Sequence, residues 1–127
     1  MLSNQLEAYR SVQRNTLSGR DLEATVLAKA ALVLQECQHK WDAPDRDILL
    51  KKALKQNQIM WTFFQSELSK PDNPLPKKLR EDIMSLGLFV AKQIIYIMSF
   101  PSPDKLTTII NINLKLAAGL RSSPGQG

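Results

Sequence analysis

Apolar residues recur at steps of three and four along most of the chain, and this spacing predicts amphipathic helices. The segment from residue 50 to residue 68 shows the pattern with one polar member. Its stripe is Leu50, Leu54, Asn57, Trp61, Phe64 and Leu68. Pro71 and Pro74 then stop the helix, because proline lacks the N–H that a helix interior needs. Pro76 suits the first position of a new helix, where the missing N–H costs nothing.

The same periodicity predicts helices before and after this segment. Ser18 and Asp21 form an approximate capping box, which predicts the start of a long helix. This helix ends near residue 41. Its predicted seam is Leu22, Val26, Ala30, Val33, Cys37 and Trp41, widened by Leu27, Ala31 and Leu34. A last helix opens at Pro103, and its seam is Leu106, Ile110, Asn113, Ala117 and Leu120. Residues 2–14 predict a short helix with Leu2, Leu6 and Tyr9 on one side. Such a short helix is marginal in isolation and must dock on something.

The helix predicted for residues 76–99 is the most apolar of the chain and carries two stripes. The first stripe is Leu79, Ile83, Leu86, Val90, Ile94 and Ile97. The second is Met84, Leu88, Ala91, Ile95 and Met98. A helix that is apolar over so much of its circumference lies centrally in a bundle or leaves one face for a partner.

No segment has the strict alternation and hairpin turns of a β-strand. We therefore predict an all-α fold, an antiparallel helical bundle of four long helices plus a short N-terminal helix. It forms a single domain over residues 1–121, followed by a flexible C-terminal tail over residues 122–127.

Composition agrees with one globular domain of 127 residues. The longest apolar run, residues 86–91, is far shorter than the roughly 20 residues of a bilayer span, so we expect no membrane insertion. The start of the chain lacks the pattern of a secretory signal, and a cytoplasmic protein is the default expectation. The net charge of +5 is spread over the whole chain, so a nucleic-acid role is expected to be indirect or weak.

Candidate chemistry is sparse. A lone Cys37 within an apolar stripe predicts an inert buried thiol, and His39 has no companion at metal-ligand spacing. No serine has the setting of a nucleophile, so we expect no enzyme, no cofactor and no metal. Lys77, Lys78 and Arg80 at a helix start are typical of a solvated first turn, although a phosphate or acidic-partner contact is the alternative.

Two asparagines occupy apolar stripes, where an amide without a partner would cost roughly 1–3 kcal/mol. We favour the interpretation that Asn57 and Asn113 bond to each other or to nearby backbone and so set the helix register. The alternative is that one of them meets a partner's backbone. Trp61, beside Phe63 and Phe64, is typical of a core. Because tryptophan is also enriched at binding hot spots, Trp61 and Arg80 stay among the candidate partner-binding residues.

Several colinear pieces resemble the FlaF family of flagellar biosynthesis regulators from alphaproteobacteria. They extend over about residues 5–121. The central pieces are Asn57-x-x-x-Trp61, Leu68, Pro71, Asn73-x-Leu75-Pro76, Leu79-Arg80-x-x-Ile83 and Ser85-Leu86. The flanking pieces are Tyr9, Arg20-Asp21-Leu22-Glu23, Ile109-Ile110-Asn111-Ile112-Asn113 and Gly119-Leu120. Asn57, Pro71, Asn73, Leu75, Pro76, Leu79, Ile83 and Asn113 are taken as structural positions of this motif.

The resemblance implies a role in flagellum biogenesis and motility, in which the protein supports flagellin synthesis or export and acts with the regulator FlbT. A chaperone-like contact with flagellin fits, since a helical bundle with a spare apolar groove can hold an amphipathic helix. Our candidate groove is formed by Met84, Leu88, Ile95 and Met98, because methionine adapts to varied partners. The rival hypothesis is an RNA-binding regulator of flagellin mRNA. Its candidate residues are Lys51, Lys52, Lys55, Lys77, Lys78 and Arg80. A third hypothesis is that the second stripe serves self-association or pairing with FlbT, and the sequence leaves the oligomeric state open.

Overall fold

The computed structural model describes residues 19–122. These residues form four helices joined by short loops, and no strand occurs among them. We number them α1 (Gly19–His39), α2 (Arg46–Leu68), α3 (Lys77–Ser99) and α4 (Pro103–Ser122). The all-α prediction with four long helices is confirmed for this part of the chain. The short helix predicted for residues 2–14 and the capping role of Ser18 lie outside the described residues, as do residues 123–127 of the predicted tail.

Consecutive helices run in opposite directions. The Cys37 thiol near the end of α1 donates to the carbonyl of Leu49 near the start of α2. Gln65, late in α2, lies against Gly87 in the middle of α3. The side chain of Gln38 donates to the carbonyl of Pro103 at the start of α4, which places α1 antiparallel to α4. The result is an up-down-up-down arrangement.

The packing is uneven among the four helices. The backbones of α1 and α4 approach each other over much of their length. Gln38 donates to the Thr107 hydroxyl of α4, and Ala31 and Ala24, seven and fourteen residues before it, are fully buried. Small side chains at this spacing allow two helices to approach closely. Helix α3 packs on α2 and only slightly on α4. The centre of the bundle therefore lies between α1, α2 and α4, with α3 at its periphery.

The predicted seam of α1 is correct only in part: Ala30, Cys37 and the widening residues are buried. Leu22 and Val26 are exposed and Val33 is only half-buried, whereas Leu27 and Leu34 of the widening stripe are fully buried. Two helices, α2 and α4, contact α1 from different sides, and together they bury a face centred on the second stripe. Periodicity finds the apolar half of a helix but does not say which neighbour covers which part of it.

The helix starts differ in detail from the sequence predictions. Pro76 lies one position before the helix, and its carbonyl accepts the hydrogen bond from the N–H of Arg80. Asp45 caps α2 with its backbone carbonyl, which accepts from the N–H of Leu49, while its carboxylate makes no capping bond. Trp41, predicted as the end of a seam, lies in the loop after α1, where the Arg46 guanidinium stacks 4.4 Å from its ring centroid.

Among the described helices, α3 alone is long and apolar enough to cross a membrane when judged by length and composition. Only 28% of its apolar window is buried in the bundle. The same length and composition occur in amphipathic helices that dock on proteins, and Lys92 lies near the middle of α3. The informative property of α3 is therefore its exposed apolar surface.

Candidate functional site

A buried chain of hydrogen bonds joins the three central helices. Asn57 Nδ2 donates to the carbonyl oxygens of Ala30 in α1, at 3.2 Å, and Ala53 in α2, at 3.0 Å. Asn113 Nδ2 in α4 donates to Asn57 Oδ1 at 2.8 Å, and Trp61 Nε1 donates to Asn113 Oδ1 at 3.0 Å. Both asparagines are fully buried. The pairing interpretation of the asparagines is correct, and neither amide is accessible to a partner.

Trp61 belongs to the core and not to a binding surface. Its side chain is 2% exposed, and its ring packs 5.8 Å from that of Phe64, measured between centroids. Both the ring and the N–H of Trp61 are used inside the bundle, which argues against its direct contact with a partner. Phe63, which is absent from the predicted stripe, is 67% exposed. Phe63 is two positions after Trp61, and two steps turn a helical side chain by about 200°, so the two aromatics lie on opposite faces of α2.

The proline-rich turn between α2 and α3 is organised by Asn73. Its Nδ2 donates to the carbonyl of Glu67, one of the oxygens left without a helical partner at the end of α2. Its Oδ1 accepts from the backbone N–H of Leu75 at 3.0 Å. Leu75 is 4% exposed and enters the core, whereas Pro71 and Pro76 are exposed. The turn thus holds the start of α3 against the end of α2.

The second stripe of α3 is largely uncovered. Leu88 is 62% exposed, Ile95 is 67% exposed and Met98 is 45% exposed, while Met84 is half-buried. The first stripe faces the bundle, since Ile83, Val90 and Ile97 are fully buried. Helix α3 therefore presents more apolar surface than its own bundle covers.

Ile95 and Met98 form one side of a groove between α3 and α2. Leu54 and Ile94 line its floor. Lys51 and Lys55 of α2 are exposed along the opposite edge. The groove can accept an apolar side of a helix together with acidic groups beside it.

The remaining candidates lie at the other end of α3. Met84 and Arg80 border a shallow depression with Leu68 and Ser69 at the end of α2. Arg80 is half-buried, and its Nε is buried without a hydrogen-bond partner among the described residues. The candidate partner-binding residues thus divide into an exposed stripe at residues 88–98, a separate depression at residues 80–84 and a core tryptophan.

Comparison with known proteins assigns the chain to a protein family. The family profile described as flagellar protein FlaF matches residues 5–120 of this chain. The chain belongs to the FlaF family. It is accordingly a flagellar protein. No curated protein and no solved structure matches it.

The residues of the FlaF resemblance are mainly structural in the described fold. Asn57 and Asn113 form the buried hydrogen-bond chain, and Asn73 and Leu75 order the turn. Ile83 is 1% exposed, and Leu79 packs against the core. The motif therefore specifies how this FlaF bundle is assembled, and the exposed side of α3 lies outside it.

Sequence reasoning missed the aromatic flank of this FlaF protein. Phe89, Tyr96 and Phe100 are exposed on the side of α3 away from the second stripe. Lys105 of α4 lies 4.1 Å from the centroid of the Tyr96 ring, and its Nζ donates to the carbonyl of Phe100. The spacing of seven and four residues between the aromatics was the available signal. The aromatic spacing is hard to recognise in the sequence, because two apolar stripes already account for most of the apolar residues of α3.

The basic residues of the FlaF chain form two separate groups. Lys51, Lys52 and Lys55 are exposed near the start of α2, beside the end of α3. Lys77 and Arg80 lie at the opposite end of the same helix pair. Lys78 there is paired with Asp82, at 3.0 Å between Nζ and Oδ1. A single continuous basic surface, as an RNA backbone would use, is not formed by these six residues.

Proposed function

We propose that this FlaF protein acts in the cytoplasm as a chaperone-like regulator that binds flagellin directly and so supports flagellin synthesis and export. An amphipathic helix of flagellin docks on the exposed stripe of α3, formed by Leu88, Ile95 and Met98, and in the adjoining groove. The regulator acts together with FlbT, and α3 docks a protein helix without inserting into a membrane.

The observation that carries the proposal is the exposure of Leu88, Ile95 and Met98. Leu88 and Ile95 are seven residues apart, and Ile95 and Met98 are three apart, so they form one ridge along about three turns of the helix. A groove beside that ridge, floored by Leu54 and Ile94, matches the way in which amphipathic helices are held in hydrophobic grooves.

The charged edge of the groove supports one orientation of the bound flagellin helix over others. Lys51 and Lys55 are exposed beside the apolar floor. Acidic side chains on the polar edge of the bound helix would lie next to these ammonium groups. Such complementary charges raise the association rate and favour one register over others.

The decisive experiment titrates monomeric cognate flagellin into the purified full chain in a calorimeter. Leu88→Asp and Ile95→Asp place a charge in the middle of the proposed interface, and we expect each to weaken binding by at least about tenfold. Leu32→Asp is the matched control, since Leu32 is 57% exposed on α1 and distant from α3. Equal affinity of all three variants, or no heat and no co-elution with the unaltered protein, would contradict the proposal.

Binding experiments with the same purified protein distinguish flagellin from the two rival partners, RNA and FlbT. Flagellin leader RNA that binds with a steep dependence on salt would favour direct RNA recognition. FlbT that binds through Leu88 and Ile95, with flagellin failing to bind, would assign α3 to FlbT.

A further inference from the structure

Helices α2 and α3 together present a broad apolar surface whose charged members are all lysines. The groove between the two helices brings Lys51 and Lys55 of α2 beside Ile95 and Met98 of α3. Exposed side chains of both helices extend this surface beyond the groove. We call it the lysine face, and it consists of Ile48, Lys51, Lys52, Lys55, Ile59, Leu88, Lys92, Ile95 and Met98.

Apolar and basic side chains alternate along both helices of the lysine face. Leu88, Lys92 and Ile95 follow one another at steps of four and three, so Lys92 lies within the apolar ridge of α3. The lysines of α2 lie between Ile48 and Ile59, which are 70% and 58% exposed. Each lysine can therefore extend its ammonium group past the apolar side chains and keep it hydrated.

Carboxylates are missing from this surface. The chain contains 12 acidic residues, yet none lies between Asp47 and Glu67 or between Asp82 and Asp104. Within residues 19–122, none of the lysines of the lysine face forms an ion pair. The face thus carries positive charge without neutralisation, next to exposed hydrocarbon. A surface that is both anionic and amphiphilic complements these two properties.

The aromatic flank of α3 continues the lysine face on the side away from α2. Phe89, Tyr96 and Phe100 are exposed there, and the Lys105 ammonium lies 4.1 Å from the centroid of the Tyr96 ring. Helices that lie in the interface of a bilayer combine such aromatic and aliphatic side chains with lysines. A nucleic-acid backbone would leave this hydrocarbon in water, whereas a bilayer covers it.

We propose that the lysine face docks on the surface of an anionic phospholipid bilayer. The ammonium groups lie among the lipid phosphates, and Ile48, Leu88 and Ile95 reach the boundary with the acyl chains. Helix α3 lies along the bilayer plane and does not cross the bilayer, because Ile83 and Ile97 stay in the core of the bundle. A contact of this size without a lipid anchor is reversible, so the protein exchanges between the bilayer and solution.

The lysine face includes the groove proposed for flagellin, but docking on lipid does not depend on flagellin binding. A bilayer and a flagellin helix cannot cover Leu88 and Ile95 at the same time. The two ligands therefore compete, and an excess of flagellin releases the protein from the bilayer.

Co-sedimentation of the full chain with lipid vesicles tests the proposal. One set of vesicles is phosphatidylcholine alone, and the other contains about one third phosphatidylglycerol. We expect binding to the second set only, and this binding weakens as salt screens the charges. Inorganic phosphate should weaken it no more than chloride does at equal ionic strength, because the lysine face needs a bilayer and not a free anion. Equal binding to both sets, or no binding to either, would overturn the proposal.

Substitutions locate the contact on the protein. Lys92→Glu and Ile95→Asp should each reduce binding to the anionic vesicles by at least about tenfold. Their matched controls are Lys115→Glu and Leu32→Asp, which make the same changes at exposed positions of α4 and α1. Equal losses in the variants and their controls would overturn the proposal, because overall charge or apolarity would then explain the binding.

Calorimetry with flagellin separates this proposal from the proposed function. A protein that binds flagellin but not anionic vesicles would overturn the bilayer proposal and leave the flagellin proposal standing. Vesicle binding without flagellin binding would do the reverse. If both ligands bind, added flagellin should displace the protein from the vesicles. Simultaneous binding of both ligands would overturn the assignment of the bilayer contact to the lysine face.

Discussion

Asn113 Nδ2 donates a 2.8 Å hydrogen bond to Asn57 Oδ1 although the two residues are 56 positions apart in the chain. The bond is fully buried, and it continues into Trp61 on one side and the Ala30 carbonyl on the other. One polar chain therefore links α1, α2 and α4 at the same level. A shift of any of these helices by one turn would leave several buried amide groups without partners, so the network specifies the register of the bundle.

Replacing one member of this network should be costly. Asn57→Ala removes the acceptor of Asn113 and a donor to Ala30, and it leaves a small cavity. We expect a loss of about 2–4 kcal/mol in the free energy of unfolding, measured by urea denaturation. Gln58→Ala, at the adjacent exposed position, should change it by less than about 0.5 kcal/mol. A loss as small as that of the control would mean that the network does not contribute to stability. A double-mutant cycle with Asn113→Ala measures the coupling free energy between Asn57 and Asn113.

The turn before α3 gives a second stability prediction. Asn73→Ala removes the bonds to the Glu67 carbonyl and to the Leu75 N–H, and we expect a loss of about 1–3 kcal/mol. Asp72→Ala is the neighbouring exposed control and should be nearly neutral. Thermal unfolding followed by circular dichroism measures both. If Asn73→Ala unfolds at the same temperature as the control, the turn is held by its prolines and not by the asparagine.

The thiol of Cys37 should be inert in the folded protein. It is 5% exposed, and burial raises its pKa, with the nearby Glu36 carboxylate acting in the same direction. Its folded pKa is above its unfolded pKa, so the folded state keeps the proton longer. Its stabilising contribution is complete below the ordinary cysteine pKa and is lost as the pH rises through the folded value.

Two measurements check this prediction. A thiol reagent should react with native protein at pH 8 only as fast as the bundle opens. The free energy of unfolding should fall as the pH rises above about 9, and Cys37→Ala should remove that part of the slope. Rapid labelling under native conditions would show that the thiol is accessible.

The lysine edge of the α2–α3 groove predicts a salt-dependent contribution to flagellin binding. Lys51→Glu combined with Lys55→Glu should reduce affinity by about tenfold at low ionic strength, and the loss should shrink as salt screens the charges. Lys29→Glu combined with Lys115→Glu changes the net charge equally at exposed positions of α1 and α4. Should both double variants lose the same affinity, the effect would come from the overall charge and not from the groove edge.

Several features of the fold were predictable because they depend on local chemistry. The four long helices follow from apolar spacing, and Pro71, Pro74 and Pro76 mark the break between α2 and α3. The interpretation of Asn57 and Asn113 as a buried pair follows from the cost of an unsatisfied amide in an apolar stripe. These arguments need only a residue and its immediate periodic neighbours.

Other features depend on where neighbouring helices lie. The predicted α1 seam placed Leu22 and Val26 in the core, but in the structure they line an open groove. The exposure of Leu88, Ile95 and Met98 likewise depends on which side of α3 its neighbours cover.

The sequence by itself determined that this chain forms amphipathic helices, where they break, and that α3 carries more apolar surface than one interface needs. Only the tertiary structure decided that α3 lies at the periphery and that its Leu88, Ile95 and Met98 side is uncovered. The physical reason is that helix periodicity is a local property of the backbone. Burial is a property of pairs of helices, set by which faces can be covered together once Asn57 and Asn113 have fixed their alignment.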